Sequence, residues 1–262
     1  MNLEFQSQCG VDTNAKLEFP WMVTLFNANS LNGRPFCGGS LLSAIVVLTA
    51  AHCIQNLKPE DIVIRAGQQR DFNSSKEENY QERNVAEIII YEHFLKENFY
   101  NDLALLILNK SLIKSNNIET VCVPTNMDNI NFNNCLVTTW GMQKNGNYST
   151  VFKEKHISVF TNTDCQNILK TDLGDEIILH NSFFCTVENF RNNSICSGDG
   201  GSPLVCPDNF HRYFQVGIVS WSPYNCEDEL KTKDSIVYTN LTQFSNWIDA
   251  RLIELGYGAI SS

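Results

Sequence analysis

No stretch of this sequence stays apolar for long. The longest such run, LLSAIVVLTAA from Leu41 to Ala51, is too short to cross a bilayer as a helix, and its β-branched residues read as buried strand. Clustered cations are missing as well. The chain carries 19 Lys and Arg against 29 Asp and Glu, a net charge of −10 with a pI near 4.9, and the acids are scattered along its length. A phosphate-binding surface concentrates cations, so nucleic acid is not an expected partner, and neither is a membrane. The opening MNLEFQSQCG has neither the basic nor the apolar region of a secretory leader, so no signal peptide is visible and the start reads as truncated or engineered. The cysteines lack metal-ligand spacing.

What is present points to a secreted β protein. A chain of 262 residues, 43% of them hydrophobic, can bury a full core in one large β domain or two subdomains. Ten cysteines, an even number, suit an oxidising compartment. Five N-x-S/T sequons, at Asn73, Asn109, Asn147, Asn192 and Asn240, suit the same route, although a sequence this rich in Asn produces several by chance.

Short β-rich runs recur at strand spacing: WMVTLF from Trp21, AIVVLTA from Ala44, DIVIRAG from Asp61, AEIIIY from Ala86 and LALLIL from Leu103. After a break come CLVTTWG from Cys135, HISVF from His156, FQVGIVSW from Phe214 and IVYTNL from Ile236. This is the rhythm of antiparallel barrels or sandwiches. The polar stretch TNMDNINFNN, Thr125 to Asn134, is the candidate linker between two such units. From Thr242 the period changes: Phe244, Trp247, Ile248, Leu252 and Leu255 share one helical face, with Thr242 as the expected N-cap and Gly256 past the end. A docked C-terminal helix is expected, and its aromatic stripe reads as core packing.

Four further segments carry chemistry jointly. TAAHC places His52 at the end of a buried run beside a cysteine. NDLALLIL opens with Asp102, which needs a partner if buried. GDGGSPLVC, from Gly198 to Cys206, has the form of a serine hydrolase motif with Gly200 where a hydroxyl belongs. Ser220 and Trp221 follow another strand. Taken singly, His52 reads more readily as structural, and Asp102 as a strand opener; the joint order His, Asp, nucleophile motif, Ser-Trp is far more specific.

With FPWMVTLF, CGGSLLS, TTWG and GIVSW, these segments resemble the chymotrypsin-like (S1 family) serine proteases over nearly the whole chain. RAGQQ, YQERNVAEIIIYEHF, GDGGSPLVCP, YFQVGIVSW and FSNWID look most similar to insect masquerade-like homologues, the group that includes prophenoloxidase-activating factor cofactors. The resemblance implies an all-β fold of two six-stranded antiparallel barrels with a C-terminal helix and a site between the barrels. It further implies an N-terminal arm over 1–18 and a protease-homologue domain over 19–262. Within that domain the barrels fall at 19–124 and 125–241 and the helix at 242–256.

The same resemblance assigns His52 to the general base, Asp102 to its orienting group and Ser220 to that aspartate's partner, with Gly198 and Asp199 as supporting positions. Gly200 stands in place of the nucleophilic serine, so no acyl-enzyme can form there. The His52–Asp102 pair is then expected to be a retained structural bond, and His52 has no second metal ligand in view. Ser202, two residues on, is the alternative nucleophile, but a hydroxyl so displaced is expected to miss both base and oxyanion donors.

Other departures agree. CGVDTNAKLEFPW holds no activation-cleavage site, so the amine that pairs with Asp199 in family members is not expected. In the specificity pocket, Ser194 replaces the trypsin-type Asp, and Ser222 and Ile236 replace wall glycines, so an occluded pocket is expected. The resemblance suggests disulfides Cys9–Cys122, Cys37–Cys53, Cys135–Cys206, Cys165–Cys185 and Cys196–Cys226. No clip-type domain is visible ahead of Cys9. SSKEENYQER, with Glu77, Glu78 and Glu82, corresponds to a loop that binds calcium in some members; a solvated acidic loop is the expectation here, with no cofactor. The implied function is that of a secreted non-catalytic homologue binding a cascade protease, a zymogen or prophenoloxidase in innate immunity. Residual hydrolysis through Ser202, or a decoy for inhibitors or microbial surfaces, are the alternatives.

Overall fold

The computed structural model describes residues 9–11, 19–29, 34–68, 80–125, 128–139, 153–189, 198–223 and 233–257. Six strands, β1 (Met22–Asn27), β2 (Pro35–Leu41), β3 (Val46–Thr49), β4 (Ile62–Ala66), β5 (Gln81–Ile90) and β6 (Ala104–Leu108), close into a barrel in the order β1-β2-β3-β6-β5-β4. All of its pairings are antiparallel.

The second sheet runs β8-β7-β11-β12-β13-β10-β9. Its members are β7 (Cys135–Thr139), β8 (Lys153–Ile157), β9 (Val159–Phe160), β10 (Phe183–Asn189), β11 (Pro203–Pro207), β12 (Tyr213–Trp221) and β13 (Lys233–Asn240). Seven strands appear where six were expected because one run of chain is split at Ser158: β8 pairs with β7 and β9 with β10, at opposite edges of the sheet. The two edges are thus consecutive pieces of one segment, and the sheet curls into a second barrel.

Alternation along the strands explains how the barrels pack. In β6, Ala104, Leu106 and Leu108 point into the first barrel's core, while Leu105 and Ile107 join a cluster shared by the two barrels. In β7 and β11, Cys135, Val137, Leu204 and Cys206 line the second barrel, and Leu136 and Val205 face the shared cluster. Because both faces of these strands are covered, β3, β6, β7 and β11 are buried throughout and read as continuous apolar runs.

Among the described residues four disulfides staple this frame: Cys9–Cys122, Cys37–Cys53, Cys135–Cys206 and Cys165–Cys185. Cys196 and Cys226 lie outside the described residues. A helix the sequence pattern did not announce, α2 (Asn162–Leu173), packs beside β10 through Cys165 and Leu169, one turn apart. Thr161 caps it by accepting from the Asp164 N–H.

The C-terminal helix α3 spans Ser245–Glu254. Its start corrects the expectation for Thr242. That residue sits in a 3-10 turn, Leu241–Gln243, capped by the Asn240 side chain, which accepts from the Thr242 N–H, and α3 begins only after Phe244. Gly256, at φ +79°, ends the helix. Phe244, Ile248 and Leu252 are buried in the shared cluster, with Trp247 and Leu255 packed against it. Among the described residues, no helix is long and apolar enough to cross a membrane. Ile248→Ala is expected to cost about 3 kcal/mol in chemical denaturation, because a fully buried branched side chain leaves a cavity at the helix seat.

Candidate functional site

Strand β3 ends at Thr49, and the next turn of chain, α1 (Ala51–Ile54), carries His52. Asp102 immediately precedes Leu103 and β6, following Asn101, which holds φ +59°. The two meet at the barrel junction: His52 Nδ1 lies 2.6 Å from Asp102 Oδ2, and the His52 backbone N–H donates to Oδ1 at 2.8 Å. Ser220, near the end of β12, donates its hydroxyl to Oδ2 at 2.6 Å. The Thr239 hydroxyl donates to the Asp102 main-chain oxygen at 2.9 Å. Asp102 is wholly buried, whereas the imidazole is 20% exposed. A carboxylate without solvent needs such donors, and here the His52 backbone and ring and the Ser220 hydroxyl supply them.

Gly200 faces the other side of the imidazole. A Cβ at position 200 would stand 2.5 Å from His52 Nε2 and 2.9 Å from Cε1. The ring therefore occupies the space that a side chain at 200 needs. Around it the loop is tightly fixed: Gly38 N–H donates to the Gly200 carbonyl, Gly201 N–H to Val219, and Ser202 N–H to Asp199. Gly198 and Gly201 take φ +92° and +80°, and a Cβ on Gly201 would meet Gly38 O and Thr49 Oγ1 at 2.4 Å. Asp199 is fully buried and engaged in a polar interaction.

Ser202 points elsewhere. It is 1% exposed, its hydroxyl has no hydrogen-bond partner among the described residues, and it lies against Gly38 of β2, where an added Cβ would come within 2.3 Å of Oγ.

The sulfurs of Cys37 and Cys53 lie close to the His52 ring, a grouping that has ligand spacing. They are bonded to each other, and a disulfide offers no thiolate to a metal.

Of the pocket positions, Ser194 lies outside the described residues. Ser222 is half-buried with a polar partner. Ile236 is wholly buried, packed in a cluster with Phe184, Val219 and Tyr238. Of the acidic loop, Glu77 and Glu78 lie outside the described residues. Glu82 accepts from Arg65 Nε at 3.0 Å and Nη2 at 2.8 Å, and that guanidinium sits 4.3 Å from the Phe26 ring and 4.5 Å from the Tyr80 ring. Glu82 is thus committed to an internal cation.

Sequence reasoning missed the aromatic wall beside His52. Phe99, at φ +56°, places its ring 5.3 Å from the imidazole, and the next residue, Tyr100, stacks on His180 at 4.2 Å. Asn101 N–H donates to Ser182 Oγ, and Ser182 N–H donates to His180 Nδ1, which must be unprotonated to accept it. Burial lowers the His180 pKa below its ordinary value. No local signal announces this wall, because it joins residues some eighty positions apart.

Residues 8–248 match the Trypsin family, and the chain belongs to it. It is 34% identical to phenoloxidase-activating factor 2 of Galleria mellonella, over 94% of this chain and 84% of that protein. It is 30% identical to inactive CLIP domain-containing serine protease A8 of Anopheles gambiae, over 90% of this chain and 65% of that one. Proclotting enzyme of Tachypleus tridentatus shares 25% identity, over 90% of this chain and 63% of its own length. The chain therefore spans less than two thirds of the latter two.

Gly200→Ala is expected to cost about 1–3 kcal/mol, since the new methyl must push the imidazole off its seat. In a His52→Ala background that cost should vanish. A double-mutant cycle in denaturant reads the coupling, and additive costs would contradict the crowding. For His180 the folded state favours the neutral ring, so its contribution is present above the unfolded pKa and is lost as pH falls below about 6.5. Denaturation between about pH 7 and about pH 5.5 should show a shallower decline in His180→Gln than in the parent.

Proposed function

We propose that this chain is a secreted, proteolytically silent member of the trypsin family that works by binding within an extracellular protease cascade such as prophenoloxidase activation. The observation that carries this reading is Gly200 with the His52 ring seated against it. Acyl transfer needs a hydroxyl between base and scissile carbonyl, and here the His52 ring stands where a side chain at 200 would carry it. Removing the nucleophile of a triad costs about a millionfold in turnover, or about 8 kcal/mol of transition-state stabilisation. Binding energy stored in a stapled, preorganised surface survives that loss intact.

Ser202 does not rescue the chemistry in this reading. Its hydroxyl is sealed against Gly38 and, among the described residues, has no hydrogen-bond partner and no base within reach. A decoy for inhibitor loops is the weaker rival, because the buried branched side chain of Ile236 stands where the family keeps pocket glycine.

The similarity to a phenoloxidase-activating factor and to an inactive CLIP-type protease supports the cascade setting. Partners of the fitting kind are a cascade protease, its zymogen or prophenoloxidase. Four disulfides and the family's cascade relatives suit an extracellular location.

The test is phenoloxidase activity in a mixture of insect prophenoloxidase and its activating protease, with and without this protein. A rise that requires the protein, and that the His52→Ala variant reproduces, is the expected result. No change, or a fall, would remove the cofactor role and leave a competitor.

A further inference from the structure

We infer that Asn109 is a site of N-linked glycosylation, taking an oligosaccharide from a lipid-diphosphate donor, and that the Asn240 sequon stays unmodified. Both carry the required N-x-S/T pattern. Their settings differ in every respect that matters to a bulky hydrophilic adduct.

Asn109 directly follows β6 and begins an exposed turn: Asn109, Lys110 and Ser111 all face solvent. The turn is clamped at both ends by buried neighbours, Leu108 and Leu112, whose N–H groups donate to Ile45 and Ala44. The Asn109 N–H donates to Asn84, and Arg83 Nε donates to the Ser111 carbonyl. Backbone needs are therefore met while the Asn109 side-chain amide makes no hydrogen bond among the described residues. A sugar there projects outward from a rigid pedestal and displaces nothing.

Asn240 is half-buried at the end of β13, paired with Gly217. Its N–H donates to the Ser182 carbonyl, and its side-chain oxygen accepts from both the Thr242 N–H and the Thr242 hydroxyl. The sequon's own hydroxyl is thus engaged by the Asn240 side chain, whose oxygen also caps the 3-10 turn that leads into α3. A glycan at this position must share the space in which that cap forms.

In the transfer, the Asn109 amide nitrogen forms a bond to C1 of the donor's first sugar, the bond from C1 to the diphosphate oxygen breaks, lipid diphosphate leaves, and the amide loses one proton. The disulfides place the chain on the route where such a donor is found. A glycan at 109 also bars protein partners from the turn between Leu108 and Leu112.

The experiment expresses the full chain behind a secretion leader in mammalian cells and releases glycans with an amidase in heavy-oxygen water, which converts each occupied asparagine to labelled aspartate. Peptide mapping should find the label at Asn109 and none at Asn240. Thermal melting of the deglycosylated proteins supplies a second reading: Asn109→Gln should leave the midpoint unchanged, and Asn240→Gln should lower it by breaking the cap. An unlabelled Asn109 peptide, or label at Asn240, overturns the inference.

Discussion

The buried carboxylate of Asp102 is the constraint on which the rest of the structure depends. A group of that kind sealed from water costs several kcal/mol unless donors surround it. Here they arrive from separate elements: the backbone and ring of His52 on α1, and Ser220 on β12. Thr239 on β13 reaches the neighbouring main-chain oxygen. The aspartate precedes a strand of the first barrel and its hydroxyl partners belong to the second, so satisfying it fixes how the barrels meet. His52 and Ser220 therefore have a structural reason to be where they are that does not depend on catalysis.

This separates two properties that an active protease holds together. In the proposed reading the orienting half of the triad belongs to the fold, and the reacting half would depend on one side chain that Gly200 lacks. The imidazole stands where a Cβ at position 200 would lie, 2.5 Å from its Nε2. Ser202 shows the same logic from the other side: a hydroxyl only two residues away is packed into the interface with Gly38. Position in the sequence does not confer reactivity without a base within reach.

Much of this was legible beforehand, for identifiable reasons. Short β-rich runs and the turn residues between them marked the strands, because barrel walls covered on both faces are written as brief apolar runs, and the stripe on α3 did so because the helix docks on a shared apolar face. What escaped notice was local and polar, or distant. Helix α2 buries little more than Cys165 and Leu169, too few apolar positions to reveal a period. The start of α3 moved because the Asn240 side chain organises a 3-10 turn first. At the site, His52, Asp102 and Ser220 could be named from their flanking motifs, but the wall of Phe99, Tyr100 and His180 arises only when the chain folds back on itself. Likewise Glu82 offered itself as a cation ligand, and only the fold supplies Arg65 as its partner.

The measurement that bears most directly on this account is covalent labelling of the unmodified protein by a fluorophosphonate, beside an active trypsin-family protease under the same conditions. The account requires that the active enzyme be labelled and this chain not, because Gly200 carries no hydroxyl and, among the described residues, Ser202 makes no hydrogen bond to His52. Labelling of this chain, mapped to Ser202 or to any other serine, would contradict it, since a base-activated nucleophile would then exist in a site where the geometry provides none.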